Sequence, residues 1–247
     1  EPKNENTLIE PALKGTLRAL NSAKNSKVKK VVLTSSMASI AYGHKKEICT
    51  NSDWTDITKY AGAYIKSKTV AEKAAWDFID NHSDNSFSLT TIHPGMVFGP
   101  ILNKNFQGAS ASLINNLITG KFPALPDLYF TVVDVRDVAK LHVQSLKNIR
   151  SDNKRIIATS SNSIAFLEIS KILREFGFDK APTNLIPNKV INSLAPFNKE
   201  MKSTAVMINR GSYKVDISET ELLFNWKPIP LRKTLEDMTN SLKYNRP

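Results

Sequence analysis

The chain has a single cysteine, Cys49, among its 247 residues. That excludes an internal disulfide framework and fits a reducing, cytoplasmic setting. Long hydrophobic runs are missing as well. No stretch approaches the roughly 18–20 apolar residues of a membrane span, so no membrane association is expected. The four histidines, His44, His82, His93 and His142, stand far apart, without the paired spacing of a zinc site, and no metal is expected. Nine glycines are present, yet they form no G-x-G-x-x-G or G-x-x-G-x-x-G turn of the kind that cradles phosphates. The opening Glu1-Pro2-Lys3-Asn4 has neither a methionine nor a signal-peptide layout.

Acidic residues are outnumbered, 23 against 34 lysines and arginines, for a net charge of +11. The basic residues are spread. Lys24, Lys27, Lys29 and Lys30 form one cluster and residues 147–155 a looser one, neither with interleaved aromatics or a nucleic-acid-binding motif. A solvated surface, or attraction of a phosphorylated cofactor, accounts for the charge; nucleic acid is not an expected partner.

What is present is alternation. "TLIEPALKGTLRALNS" (7–22) has apolar residues at helical spacing, with Pro11 bending or breaking its first turns. "VKKVVLTSS" (28–36) reads as a β-branched strand, and a helix follows from about Ala63 to Asn81. "FSLTTIHPGMVFGP" (87–100) is a strand running into a Pro/Gly-rich loop. Residues 1–100 therefore read helix, strand, helix, strand, the order of a parallel α/β sheet. Beyond them, "SASLINNLITG" predicts a helix closed by Gly120. "YFTVVDVRDVAKLHVQSL" predicts a short strand and a helix capped by Asp134 or Asp137, with Val138, Leu141, His142, Ser145 and Leu146 inward. "RIIATS" is a further strand, "SIAFLEISKILREFGF" a helix ending at Gly177, and "LRKTLEDMTNSLKY" a closing helix. From Ala181 to Lys214 prolines and asparagines dominate, and no element is assigned.

The chemistry begins with Tyr64 and Lys68, one helical turn apart on a small-residue helix. A free phenol titrates near 10. An ammonium roughly 4 Å away attracts the phenolate by ~4 kcal/mol at an effective dielectric of about 20, but by only ~1 kcal/mol in bulk water. Such a pair is useful only inside a cleft, where the tyrosine can protonate a carbonyl oxygen as hydride reaches the carbon. Tyr-x3-Lys alone is weak: Tyr42 and Lys46 share the spacing, in a loop where nothing fixes the side chains together. Ser35 and Ser36 strengthen it. They end a parallel strand, where open α/β sheets bind ligands. A hydroxyl there can hold the same carbonyl oxygen, or merely satisfy strand-end backbone groups.

"EPALKGTLRAL", "VKKVVLTSS", "NSDWTD", "YIKSKTVAEKAAWDF", "HPGMVFGP" and "VVDVRDVAKLHVQSL" occur in that order. Together they resemble the extended short-chain dehydrogenase/reductase superfamily. Within it they are most similar to the dihydroflavonol 4-reductase-like branch, which includes yeast NADPH-dependent methylglyoxal and carbonyl reductases. The resemblance spans most of residues 8–147. It implies a Rossmann-like, doubly wound parallel sheet with a smaller C-terminal α+β substrate-binding lobe. Residues 1–100 would be the remaining part of the dinucleotide-binding domain, and residues 101–247 mainly the substrate lobe, with about 131–160 returning to the first domain. It also implies a Ser-Tyr-Lys site: Ser36 (Ser35 as the alternative) orienting the carbonyl, Tyr64 as acid/base, and Lys68 holding the nicotinamide ribose. Pro94, Gly95 and Val97 would contact the cofactor, joined by Ser110 or Ser112. The cofactor implied is NADPH, with NADH not excluded.

Two departures from the family narrow this expectation. Where plant dihydroflavonol reductases carry a substrate-reading asparagine five residues after the serine, this chain has Ala41. The "NWYCYGK" pattern of plant cinnamoyl-CoA reductases is replaced by "KYAGAYIKSK". A small aldehyde or ketone is therefore expected over flavonoid and phenylpropanoid substrates, with the protein a monomer or homodimer. The absent glycine-rich strand-turn-helix implies that about 80 residues precede Glu1 in a complete relative. The competing expectations are an NAD-dependent sugar epimerase or dehydratase, a hydroxysteroid-type dehydrogenase, or a truncated relative without activity.

Overall fold

The computed structural model describes residues 1–59, 62–81, 87–102 and 108–244. The first half contains helix α1 (Asn6–Asn25), strands β1 (Lys30–Thr34) and β2 (Ile48–Cys49), helix α2 (Ala63–Asp80), and strands β3 (Ser88–Pro94) and β4 (Met96–Phe98). Helix α3 (Ala109–Ile118), strands β5 (Tyr129–Phe130) and β6 (Val132–Asp134), helix α4 (Val135–Lys147) and strand β7 (Lys154–Ala158) follow. The last part holds β8 (Ile164–Ala165), α5 (Phe166–Glu175), α6 (Asn188–Leu194), α7 (Lys199–Arg210), β9 (Lys214–Val215), α8 (Ser218–Phe224) and α9 (Leu231–Tyr244). Among the described residues no helix is long and apolar enough to cross a membrane.

The main sheet has the order β1-β3-β7, all parallel. Side-chain alternation gives its two faces different partners. Val31, Leu33 and Leu89 meet Leu20 of α1 and Ala75 and Phe78 of α2. On the opposite side Val32, Ile92, Ile156 and Ala158 share a core with Leu141 of α4. Helices thus cover both faces, as the α/β pattern predicts. A second core, built from α3, α5, α7 and α9, centres on Phe98, Ile114, Leu117, Ile169, Leu173 and Leu235.

Three local expectations are corrected. Helix α1 runs through Pro11 rather than breaking there; so near the helix start a proline forfeits a single backbone bond. Residues 87–100 form two strands, because Gly95 turns the chain and hands β4 to β6 instead of β7. Leu146 points outward at 55% exposure, since α4 rests on the sheet through Leu141 and Ser145. The cap of α4 is Asp134, whose carboxylate accepts from the Arg136 amide at 2.8 Å.

Candidate active site

The parallel strands β1 and β3 end side by side, and the chain leaves each toward the same cleft. The two serines after β1 part company. Ser35 is buried, and its hydroxyl turns into the protein to donate to Glu72. Ser36 lines the cleft, where its Oγ also accepts from the Ala38 amide at 3.1 Å and caps a short 3-10 turn. Tyr64, on the first turn of α2, lines the same cleft, as do Pro94, Gly95 and Val97 from the end of β3 and from β4, and Ser110 at the start of α3. The cleft has a volume of about 410 Å³, within the range of small-ligand sites.

Other expected positions are not drawn in. Ser112 lies on the exposed side of α3 and outside the cleft lining. Lys68 is partly buried one turn along α2 from Tyr64 and does not reach the cleft wall. The side chain of Tyr64 is 53% exposed, so the described residues do not provide the low-dielectric cover that its pairing with Lys68 needs. Gly95 has a packing reason of its own. A Cβ there would meet Thr159 Oγ1 at 2.2 Å and the Thr131 carbonyl oxygen at 2.4 Å.

Sequence reasoning missed the group beneath the site. Glu72 is 1% exposed and sits two turns from Tyr64 on α2. One carboxylate oxygen accepts from His93 Nε2 and from Arg155 Nε, each at 2.7 Å. The other accepts from Ser35 and Ser39, the residues just before Ser36 and three after it. Burial alone would raise this carboxyl, but His93 and Arg155 outweigh it and hold it well below the usual carboxylate range. Arg155 is fixed in turn by the carbonyls of Asn51 and Asp53, each at 2.6 Å, and by the Trp54 ring 3.8 Å away. The "NSDWTD" block is therefore an arginine clamp. A glutamate among the helix lysines looks like solvent-facing charge until two strands bring His93 and Arg155 to it.

The far wall was missed as well. Tyr42, set aside above as a loop residue, lines the cleft with Phe130, Thr131, Ser203, Met207 and Tyr213. Its apparent partner Lys46 pairs instead with Asp53. Glu1 is the only ionisable acid or base other than tyrosine among the described lining residues. No cluster of three histidine, cysteine or acidic side chains able to hold a metal occurs among the described residues.

A family model described as the 3-beta hydroxysteroid dehydrogenase/isomerase family matches residues 2–164. A cinnamoyl-CoA reductase of Medicago truncatula is 34% identical over 222 residues, covering 86% of this chain and 66% of that one. The NADPH-dependent methylglyoxal reductase of Saccharomyces cerevisiae is 32% identical over 191 residues, covering 70% of this chain and 56% of that one. The crystal structure of Gre2 from Candida albicans in complex with NADPH superposes with a TM-score of 0.79 at 27% identity, over 100% of this chain and 74% of that one. The chain spans 66%, 55% and 51% of the first three curated relatives that it matches.

Proposed function

The chain belongs to the 3-beta hydroxysteroid dehydrogenase/isomerase family, and from that premise we propose that it reduces small aldehydes and ketones to alcohols with NADPH. The observation that carries this reading is the convergence of Ser36, Tyr64 and residues 94–97 on one cleft at the carboxyl ends of the parallel strands. A relative named as an NADPH-dependent methylglyoxal reductase, and a solved Gre2 in complex with NADPH, support the choice of substrate and cofactor.

The residues present fit the nicotinamide end of such a cofactor. Ile65, Met96, Val97 and Phe130 offer apolar lining for a flat ring, and Ser36, Tyr64 and Ser110 bring hydroxyl groups to the same cleft. Lys68, on the same helix stripe as Tyr64, would hold the ribose hydroxyls. When bound, NADPH supplies the hydride that the carbonyl carbon takes. Tyr64 gives its phenolic proton to the carbonyl oxygen, and the Ser36 hydroxyl donates a hydrogen bond to that oxygen and fixes its direction. The products are the alcohol and NADP⁺, and a proton from solvent restores Tyr64. The Lys68 ammonium favours the departure of the phenolic proton once substrate and cofactor cover the ring.

The test is loss of NADPH absorbance when the chain is mixed with methylglyoxal and a panel of short aldehydes and ketones, alongside a fluorescence titration of NADPH binding. Binding with turnover of at least one small carbonyl is expected. Binding without turnover of any of them would overturn the reading.

A further inference from the structure

Two tyrosines that the reaction above does not use stand side by side in the cleft. Tyr42 is held through both of its peptide groups: its amide donates to Thr55 Oγ1 at 3.1 Å, and its carbonyl accepts from the Asp56 amide at 3.0 Å. Gly43 fixes the next turn at φ 77°, and a Cβ there would lie 2.3 Å from the Asp56 carbonyl oxygen. Tyr213 is 6% exposed and equally constrained. Its amide donates to Ser163 Oγ at 2.8 Å, its carbonyl accepts from the Ser163 amide at 3.0 Å, and the Arg210 guanidinium lies 4.5 Å from its ring. Both rings therefore enter the cleft from rigid backbone, with Thr131, 3% exposed, beside them. Burial first, and then the neighbouring Tyr213 phenol, raise the Tyr42 phenol well above its ordinary range, with Tyr64 adding to the effect. Burial likewise raises Tyr213. Both stay neutral at working pH, so they offer hydroxyls and not charge.

No lysine, arginine or histidine lines the cleft among the described residues, so these lining residues offer a carboxylate or phosphate on the substrate no cation. A neutral oxygen would meet two phenols that already interact with each other, Tyr213 also with Thr131. We infer that Tyr42 and Tyr213 form a second polar anchor, which selects carbonyl substrates bearing a second, uncharged oxygen. The inference rests on the reductase reading and adds to it the residues that choose the substrate.

The matched probes are hydroxyacetone and butan-2-one, in which a hydroxyl replaces a methyl at the same place. The ratio of their kcat/KM values is measured for the wild-type chain, for Tyr42→Phe, for Tyr213→Phe and for the double variant. Each substitution keeps the ring and removes one oxygen, and a thermal melt checks that the fold persists. The hydroxyacetone preference should fall about 10-fold in the double variant, with each single variant part of the way. An unchanged ratio in a folded double variant overturns the anchor. Saturation-transfer NMR of the same two ketones on the chain reads the preference without turnover. If neither ketone is reduced, the reductase reading fails alone, and the binding preference still decides: lost in the double variant it supports the anchor, retained or absent from the wild type it overturns it.

Discussion

In the proposed reaction Tyr64 and Lys68 would act through one helix turn, while buried Glu72 lies two turns beyond Tyr64 on the same helix, and the two contributions separate under mutation. Replacing Lys68 by alanine should weaken NADPH binding in a fluorescence titration and slow turnover together, because the proposed reaction assigns one ammonium to both the ribose and the proton transfer. A Lys68→Ala variant that binds the cofactor like wild type would remove the ribose role. Glu72→Gln leaves His93 and Arg155 without their shared anion in a site 1% exposed. Breaking a buried ion pair on one side costs about 3–5 kcal/mol, readable by urea unfolding. The dependence on pH has a definite sign. The folded carboxyl titrates below its unfolded value, so its contribution is present above about pH 4 and is lost as pH falls toward the folded value. The stability gap between wild type and Glu72→Gln should therefore narrow on acidification from pH 6 to pH 3, and a gap that widens would contradict the assignment. The placement of Tyr64 and Lys68 one turn apart on α2 was legible because helical spacing is local. Glu72 was not, since its partners come from β3 and β7, 21 and 83 residues away in sequence.

Elements bring these residues into register through turns with little room. The change from β3 to β4 at Gly95 shifts the chain from one parallel neighbour to another, and it does so against the Thr131 carbonyl and Thr159. Gly95→Ala should push β4 and the cleft wall outward. Overpacking of this kind costs up to about 3 kcal/mol, on the order of 6–12 °C in Tm for a chain of this size, and a scanning calorimetry trace within 2 °C of wild type would reject the contact. The β-branched run of β1 and the small-residue stripe of α2 were readable, because each buries a pattern at its own period. Helices α6 and α7 escaped notice. They bury only Ile191, and Ala205 with Ile208, too few positions to show a period. The cue that existed was Asn198, whose side chain accepts from the amides of Glu200 and Met201 at the start of α7.

At the scale of the whole molecule, the cleft has walls from both cores, so its shape depends on how they are joined. Asp134 at the start of α4 is fully buried. Its carboxylate accepts from Arg136 and from the Thr234 hydroxyl at 2.8 Å, while Arg136 reaches on to Asp237 at 2.8 Å. Both Thr234 and Asp237 belong to α9, so one carboxylate ties the closing helix to the sheet. Asp134→Ala should raise amide hydrogen exchange across α9 while leaving β3 protected; equal protection in both would show that the tie is dispensable. The blocks that announce the fold lie in residues 8–147, whereas the second core depends on contacts between distant segments such as Phe98, Leu173 and Leu235, which no local pattern reveals. The central claim is that Tyr64 donates the proton in this cleft. It is tested most directly by stopped-flow oxidation of NADPH with methylglyoxal by the wild-type chain and by Tyr64→Phe. The variant should lose about 10²–10⁴-fold in rate with NADPH affinity nearly unchanged, and equal rates in the two proteins would contradict the account.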